Sequence, residues 1–375
     1  MFELIPIFTI STLFALISHI LSKYDRENDV YLRKEHFFYA LMVISLIIFC
    51  GTRTFYNDTT VYTGDYEFEV DLLTNGYLKK IDWTIGKNPG FFLIMSVLKT
   101  LGFSNQSFLM FFSFITLSIS YWFFWKYTND TLFCSVLAFV LYYTSTMAAI
   151  KQTVATALCL LAVDRLITKK KFLFVILILA ASLVHPYALL YLLCPLLMFK
   201  PWSRKTWYLL VLFGLFGVSF QFFAERIVFF TTLMGEEYTV EKLTMEGMNP
   251  FRVAVRCVPI IVSLFIRDRI KYSQDDYRDN LFVNLTMLSG EFSFVALFGT
   301  ALLLGRISNY FMPFQILTIP WLIKFFDKKY DWLIKLVAIV FYLAFFIADC
   351  YLSGNMVFDK EFSRMTFFEY LSSII

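Results

Sequence analysis

Residues 172–199, FLFVILILAASLVHPYALLYLLCPLLMF, contain no Asp, Glu, Lys or Arg. One bilayer crossing takes about 20 apolar residues, so this run is too long for a single ordinary helix. The His185-Pro186 step divides it, because proline lacks an amide donor and pushes its predecessor out of helical conformation. The stretch reads as a hairpin of two short helices with its turn at His185. That reading fixes the topology of everything around it.

Working outward, apolar spans lie near 3–22, 36–52, 107–125, 131–149, 152–167, 206–224, 251–266, 280–304, 306–326 and 332–352. The composition agrees: 59% hydrophobic, 20% aromatic and only 17% charged residues, with a mean hydropathy of +0.66. Soluble domains carry roughly a quarter charged residues. Lipid leaves no backbone group without an internal partner, and the short alternating strands of a barrel are absent. The fold class is therefore all-α, a polytopic transmembrane bundle of roughly 11–13 membrane segments. No linker, repeat or low-complexity segment divides it, so residues 1–375 read as one integral membrane domain with outer loops at 53–88 and 225–250.

Orientation follows the lysines and arginines of short loops. The basic loops are KYDRENDVYLRK (23–34), TKKK (168–171), KPWSRK (200–205), RDRIK (267–271) and DKKYD (327–331). With the hairpin in place all five fall on the cytoplasmic side, provided that PGFFLIMSVLKTLG (89–102) dips in from outside without crossing. The first segment, FELIPIFTISTLFALISHIL, lacks a basic leader and reads as a retained helix. The net charge of +4 resides in short loops with no basic-aromatic patch, so nucleic acid is not an expected partner. Six cysteines (Cys50, Cys134, Cys159, Cys194, Cys257, Cys350) lie in or beside apolar runs without CxxC spacing and read as reduced core residues.

This topology gathers polar groups on the outer face. In GTRTFYNDTTVYTGDYEF (51–68) the chain leaves an apolar run for Arg53 and Asp58, and Lys151-Gln152 and His185 mark outer turns. Arg252 and Arg256 start the helix after loop 225–250, and Arg306 with Tyr310 marks another outer helix end. Any one of these cations reads equally well as a snorkelling interface residue. Together they oppose the usual charge bias. Arg252 and Arg256, four apart, share a helix face, and two guanidinium forks on one face suit an anionic diphosphate. His185 offers a neutral imidazole to an approaching hydroxyl, although a buried structural histidine is the commoner case. Asp58, beside Arg53 and before Tyr62, fits a sugar hydroxyl or a base. Glu291 inside a membrane helix is either functional or paired with a buried cation. His19 and His36 read as structural.

In this order RTFYNDTTVY (53–62), NPGFFLIMSVL (88–98), IKQTVATAL (150–158), LVHPYAL (183–189) and RISNYF (306–311) resemble the blocks of the EpsG family, over roughly residues 36–320. The family consists of Wzy-like polymerases of bacterial exopolysaccharide, capsule or O-antigen. Members commonly have Glu where this chain has Asn88, and Arg where it has Lys151. Lysine keeps the charge and loses the fork, and Asn88 cannot act as a base, which moves that role to Asp58 and His185.

The resemblance implies a glycosyltransferase of GT-C-like architecture in the bacterial inner membrane. It would join undecaprenyl-diphosphate-linked oligosaccharide repeats at the outer leaflet, with membrane lipids, a flippase and a chain-length regulator as partners. Diphosphate and substrate binding fall to Arg53, Lys151, Gln152, Arg252, Arg256, Arg306 and Tyr310. His185 is expected as the base, with Asp58 orienting. No cofactor or metal is expected, since arginines stabilise the leaving group and no carboxylate cluster has ligand spacing. Two other classes compete: a transporter or flippase, which more often shows repeats and midplane sites, and a membrane ligase or acyltransferase of surface glycans.

Overall fold

A computed structural model describes residues 3–25, 30–233, 238–244, 247–273, 276–352 and 362–372. Helices α1 (Leu4–Leu21), α2 (Phe37–Gly51), α3 (Thr59–Gly64), α4 (Pro89–Thr100) and α5 (Asn105–Tyr127) open the chain. They are followed by α6 (Thr131–Ala148), α7 (Ile150–Ile167) and α8 (Lys171–Val184), which runs to the His185 turn. A 3-10 helix over Pro186–Leu197 returns against α8, as the hairpin reading requires. Then come α9 (Arg204–Val218), α10 (Phe220–Leu233), α11 (Pro250–Phe265) and α12 (Tyr277–Val295), and last α13 (Arg306–Phe311), α14 (Pro313–Ile323) and α15 (Asp331–Leu352). Strands are confined to two short antiparallel pairs among the described residues, β1 (Lys23–Asp25) with β2 (Val30–Arg33) and β3 (Arg53–Phe55) with β4 (Ser363–Arg364).

Among the described residues four helices are long and apolar enough to cross a membrane, α1, α5, α6 and most of α15. A fifth span exists if α9 and α10 count as one, and they meet at 92°. The chain is thus an all-α membrane bundle, and its other apolar helices are shorter or more polar. Helix α4 has 12 residues, about 18 Å at 1.5 Å per residue, which is too short to cross.

Three expected spans are divided, each for a physical reason. The span expected over 206–224 breaks at Ser219, where the fully buried Phe220 seats on Gly299. A Cβ on Gly299 would lie 2.5 Å from the Phe220 ring. The span expected over 280–304 ends at Val295, where Met248 N–H donates to Ala296 O (2.7 Å) and Thr300 caps the next turn. The span expected over 306–326 divides at Pro313, which has no amide donor.

Hydrogen bonds gather all five basic loops at one end. Lys34 donates to Thr128 O (2.8 Å), the carbonyl end of α5, where a cation is favourable. Asp164, buried beside the 168–171 turn, takes Lys126 and the Tyr127 hydroxyl (2.7 Å). Lys335 bridges Asp130 (2.9 Å) and Asp331 (2.7 Å). Lys200 donates to Ser273 O (2.7 Å), and Arg269 to Phe325 O.

Arg53, Lys151, His185 and Arg252 lie at the opposite ends of α2, α7, α8 and α11 from these loops. A cysteine at Asn75, in a background lacking native cysteines, is expected to react with an impermeant reagent on whole cells, and one at Lys170 only after lysis. Both positions are exposed. Labelling of Lys170→Cys before lysis overturns the orientation.

Candidate functional site

The site is built around α13, of which Asn309 lines a cavity, Ser308 holds Arg256 and Arg306 is exposed. A π-helical turn over Ala301–Gly305 leads into Arg306. A second π turn, Phe139–Tyr143 in α6, precedes Thr144 and Ser145. Such turns widen a helix locally and recur at functional sites.

Thr144 and Ser145 line a cavity of about 210 Å³ together with Tyr56, Asn57, Arg252, Arg256, Asn309, Gln315 and Asp349. Arg252 and Arg256 therefore share a face of α11, as their spacing predicts. Asn249 caps that helix by accepting from Phe251 N–H (2.8 Å), and Pro250 opens it. The Arg256 guanidinium is held by neutral acceptors, donating to Ser308 Oγ (2.9 Å), Ser293 Oγ (3.4 Å) and Asn309 Oδ1 (2.7 Å). Ser293 and Ser308 are themselves 2.7 Å apart. Among the described residues no carboxylate forms an ion pair with Arg256. Arg252 pairs through Nε with Asp349 of α15.

Beside the cavity stands a lip made by β3, α3 and the starts of α4 and α7. Lys151 lies over the rings of Phe92 (4.9 Å), Phe91 (5.2 Å) and Tyr62 (5.5 Å) and 3.8 Å from Asp65. Gln152 donates to Arg306 O (2.7 Å), joining α7 to α13. Arg306 itself is exposed, and its guanidinium has no partner among the described residues. Asp58 is exposed at the start of α3, next to the cavity-lining Asn57. Burial first, then Asp58, pushes the Tyr62 phenol up to about 12, with Arg306 acting against the shift. Asp58 and Arg306 thus act on one buried ring.

His185 sits at the hairpin turn, outside both helices and 7% exposed. Its ring packs on Tyr187 (5.1 Å) and Tyr310 (5.7 Å), and its Nδ1 is buried without a partner. Burial, then Arg306 and Lys151, pushes its pKa down to about 3, so the ring stays neutral. Next to it, Gly90 lets α4 press on α8: a Cβ there would lie 2.9 Å from Leu183 Cβ. That approach places Asn88, in left-handed conformation at φ +55°, with its Oδ1 buried and unpartnered.

Some expected residues lie inside the protein and line no cavity. Arg53 is 1% exposed and donates to Cys50 O, Ser113 Oγ (3.3 Å) and Thr59 Oγ1 (3.2 Å). It ties the lip to α2 and α5. Tyr310 is fully buried, and its carbonyl accepts from Tyr191 (2.5 Å). Glu291 is 5% exposed, with Oε2 unpartnered and no ion pair among the described residues. Sequence reasoning left Ser293, Ser308, Asn309 and Asp349 unassigned. Two of these lie within the RISNYF block, which already drew attention through Arg306 and Tyr310.

A model of the EpsG family matches residues 36–372. No curated protein and no solved structure matches the chain. The family match spans most of the membrane bundle, from α2 through the C-terminal strand that pairs with the lip. The chain belongs to the EpsG family, a family of Wzy-like polysaccharide polymerases, and is a polysaccharide polymerase-like membrane protein.

Proposed function

We propose that the protein is a membrane glycosyltransferase of GT-C-like architecture. It polymerises undecaprenyl-diphosphate-linked oligosaccharide repeats of an O-antigen, capsule or exopolysaccharide at the outer leaflet of the bacterial inner membrane. The observation that carries this reading is the pair Arg252 and Arg256 on one cavity wall, with Arg256 held by neutral acceptors among the described residues. A partly buried cation with no ion-pair partner is costly unless a ligand anion completes it.

In this reading the acceptor hydroxyl attacks the anomeric carbon of the donor repeat. A new C–O bond forms, the bond from that carbon to the diphosphate breaks, and the diphosphate leaves with the electron pair. Arg252, Arg256 and Arg306 stabilise the charge that develops on it, an effect strongest where donors are preplaced and water is scarce. Lys151 and Gln152 hold the lip against α13, and Arg53 and Tyr310 fix the walls. Asp58 takes the hydroxyl proton at the rim, and His185 supports α13 from behind. A flippase and a chain-length regulator would act on the same lipid-linked repeats in the membrane around it.

Purified protein given a synthetic lipid-linked repeat in detergent micelles is expected to make longer chains and release polyprenyl diphosphate. A micelle has no second compartment, so a transporter yields no product there. Unchanged repeat with folded protein overturns the proposal.

A further inference from the structure

Asp349 is the only carboxylate lining the cavity among the described residues, and it meets Arg252 at one point. The bond uses Arg252 Nε, and the two terminal nitrogens of that guanidinium bond to nothing among the described residues. Arg252 and Asp349 are each about one-third exposed (34% and 33%), so both are reachable from the cavity. Little of α15, which carries Asp349, is buried in the bundle. Near Asp349 it meets the bundle through the Arg252 pair, the Phe345–Phe251 rings, 5.7 Å apart, and the Phe346–Phe139 rings, 6.4 Å apart.

An anion received on the free fork of Arg252 lies within a few ångströms of the Asp349 carboxylate, and like charges at that range repel. Two guanidinium groups thus face one built-in negative charge. An enzyme that expels a diphosphate at every cycle gains from such an arrangement, because two uncancelled forks would retain the product. We propose that Asp349 is a resident counter-anion that competes with the diphosphate for Arg252, sets the cavity's affinity for it and speeds its release. The inference rests on the diphosphate reading of the cavity.

The sign of one substitution decides it. Asp349→Asn keeps the size and an oxygen for Arg252 Nε while removing the charge. Binding of farnesyl diphosphate to purified protein in micelles, measured by calorimetry, is expected to tighten about tenfold or more, the scale on which one charge at this range shifts a proton equilibrium. Polymerisation should then be inhibited by farnesyl diphosphate at correspondingly lower concentration, with KM for the lipid-linked repeat and kcat both lowered. Asp349→Ala should move in the same direction.

If Asp349 merely positions Arg252, both variants bind the probe more weakly. Weaker or unchanged binding by a variant with wild-type helicity and melting overturns the inference and leaves the diphosphate reading intact. Wild-type protein that shows no binding dependent on Arg252 and Arg256 overturns both.

Discussion

Arg256→Ala is expected to abolish long polymer while single lipid-linked repeats accumulate and the protein still inserts. Loss of one preplaced donor to a developing charge costs on the order of 3 kcal/mol, about a hundredfold in rate. Arg256 should be the most sensitive of the three arginines. It forks between Ser308 and Asn309 and, among the described residues, forms no ion pair with a carboxylate. Arg256→Lys should not rescue, because an ammonium cannot hold both acceptors and present a planar face to a phosphate. Arg252→Ala and Arg306→Ala should fall in the same direction. Arg252 already gives its Nε to Asp349, so its removal also leaves a carboxylate uncompensated on the cavity wall. Polymer length on gels and repeat accumulation in membranes check this directly. Normal polymer from all three variants removes the arginines from the site.

The cavity was legible in the sequence only where the signal was local. Arg252 and Arg256 could be placed on one face because four residues make about one helical turn. The end on which they lie followed from five basic loops, and hydrogen bonds do gather those loops together. Arg53 shows where such reasoning stops. Its position at a helix end was plain, yet its inward turn depends on Ser113, 60 residues away on α5. Asp349 was visible as a carboxylate near a membrane helix end, but its partner lies 97 residues earlier.

The bend after α9 could not be read at all. Apolar residues continue through Phe220, and the bend coincides with a tertiary contact, the Phe220 ring on Gly299. The π turns before Thr144 and Arg306 likewise have no signature in composition, although the first leads directly into the cavity-lining Thr144 and Ser145.

The second large effect concerns the proton acceptor, where sequence position and folded geometry point to different residues. Sequence alone favours His185 as the base and Asp58 as its orienting partner. In the fold, Asp58 is exposed at the rim beside Asn57, which lines the cavity, and has no ion-pair partner among the described residues. His185 lies behind Tyr310, and accepting a proton there sets a third positive charge beside Arg306 and Lys151. A pKa pushed down to about 3 makes a ring that is neutral at any working pH but a weak base.

Asp58→Asn is therefore expected to lower polymerisation by about 10²–10⁴-fold, the usual worth of a general base, with binding of the lipid-linked repeat retained. His185→Ala should cost less, through loosened packing on Tyr310, and His185→Phe should recover part of that loss. The rate of wild-type protein should show no limb near the ordinary histidine pKa of about 6.5 that disappears in His185→Ala. Purified enzyme with a synthetic lipid-linked repeat, followed across pH for each variant, separates the two assignments. If His185→Ala is dead and Asp58→Asn retains near-full rate, the proton goes to the imidazole, and Tyr310 must move aside during the reaction to let it.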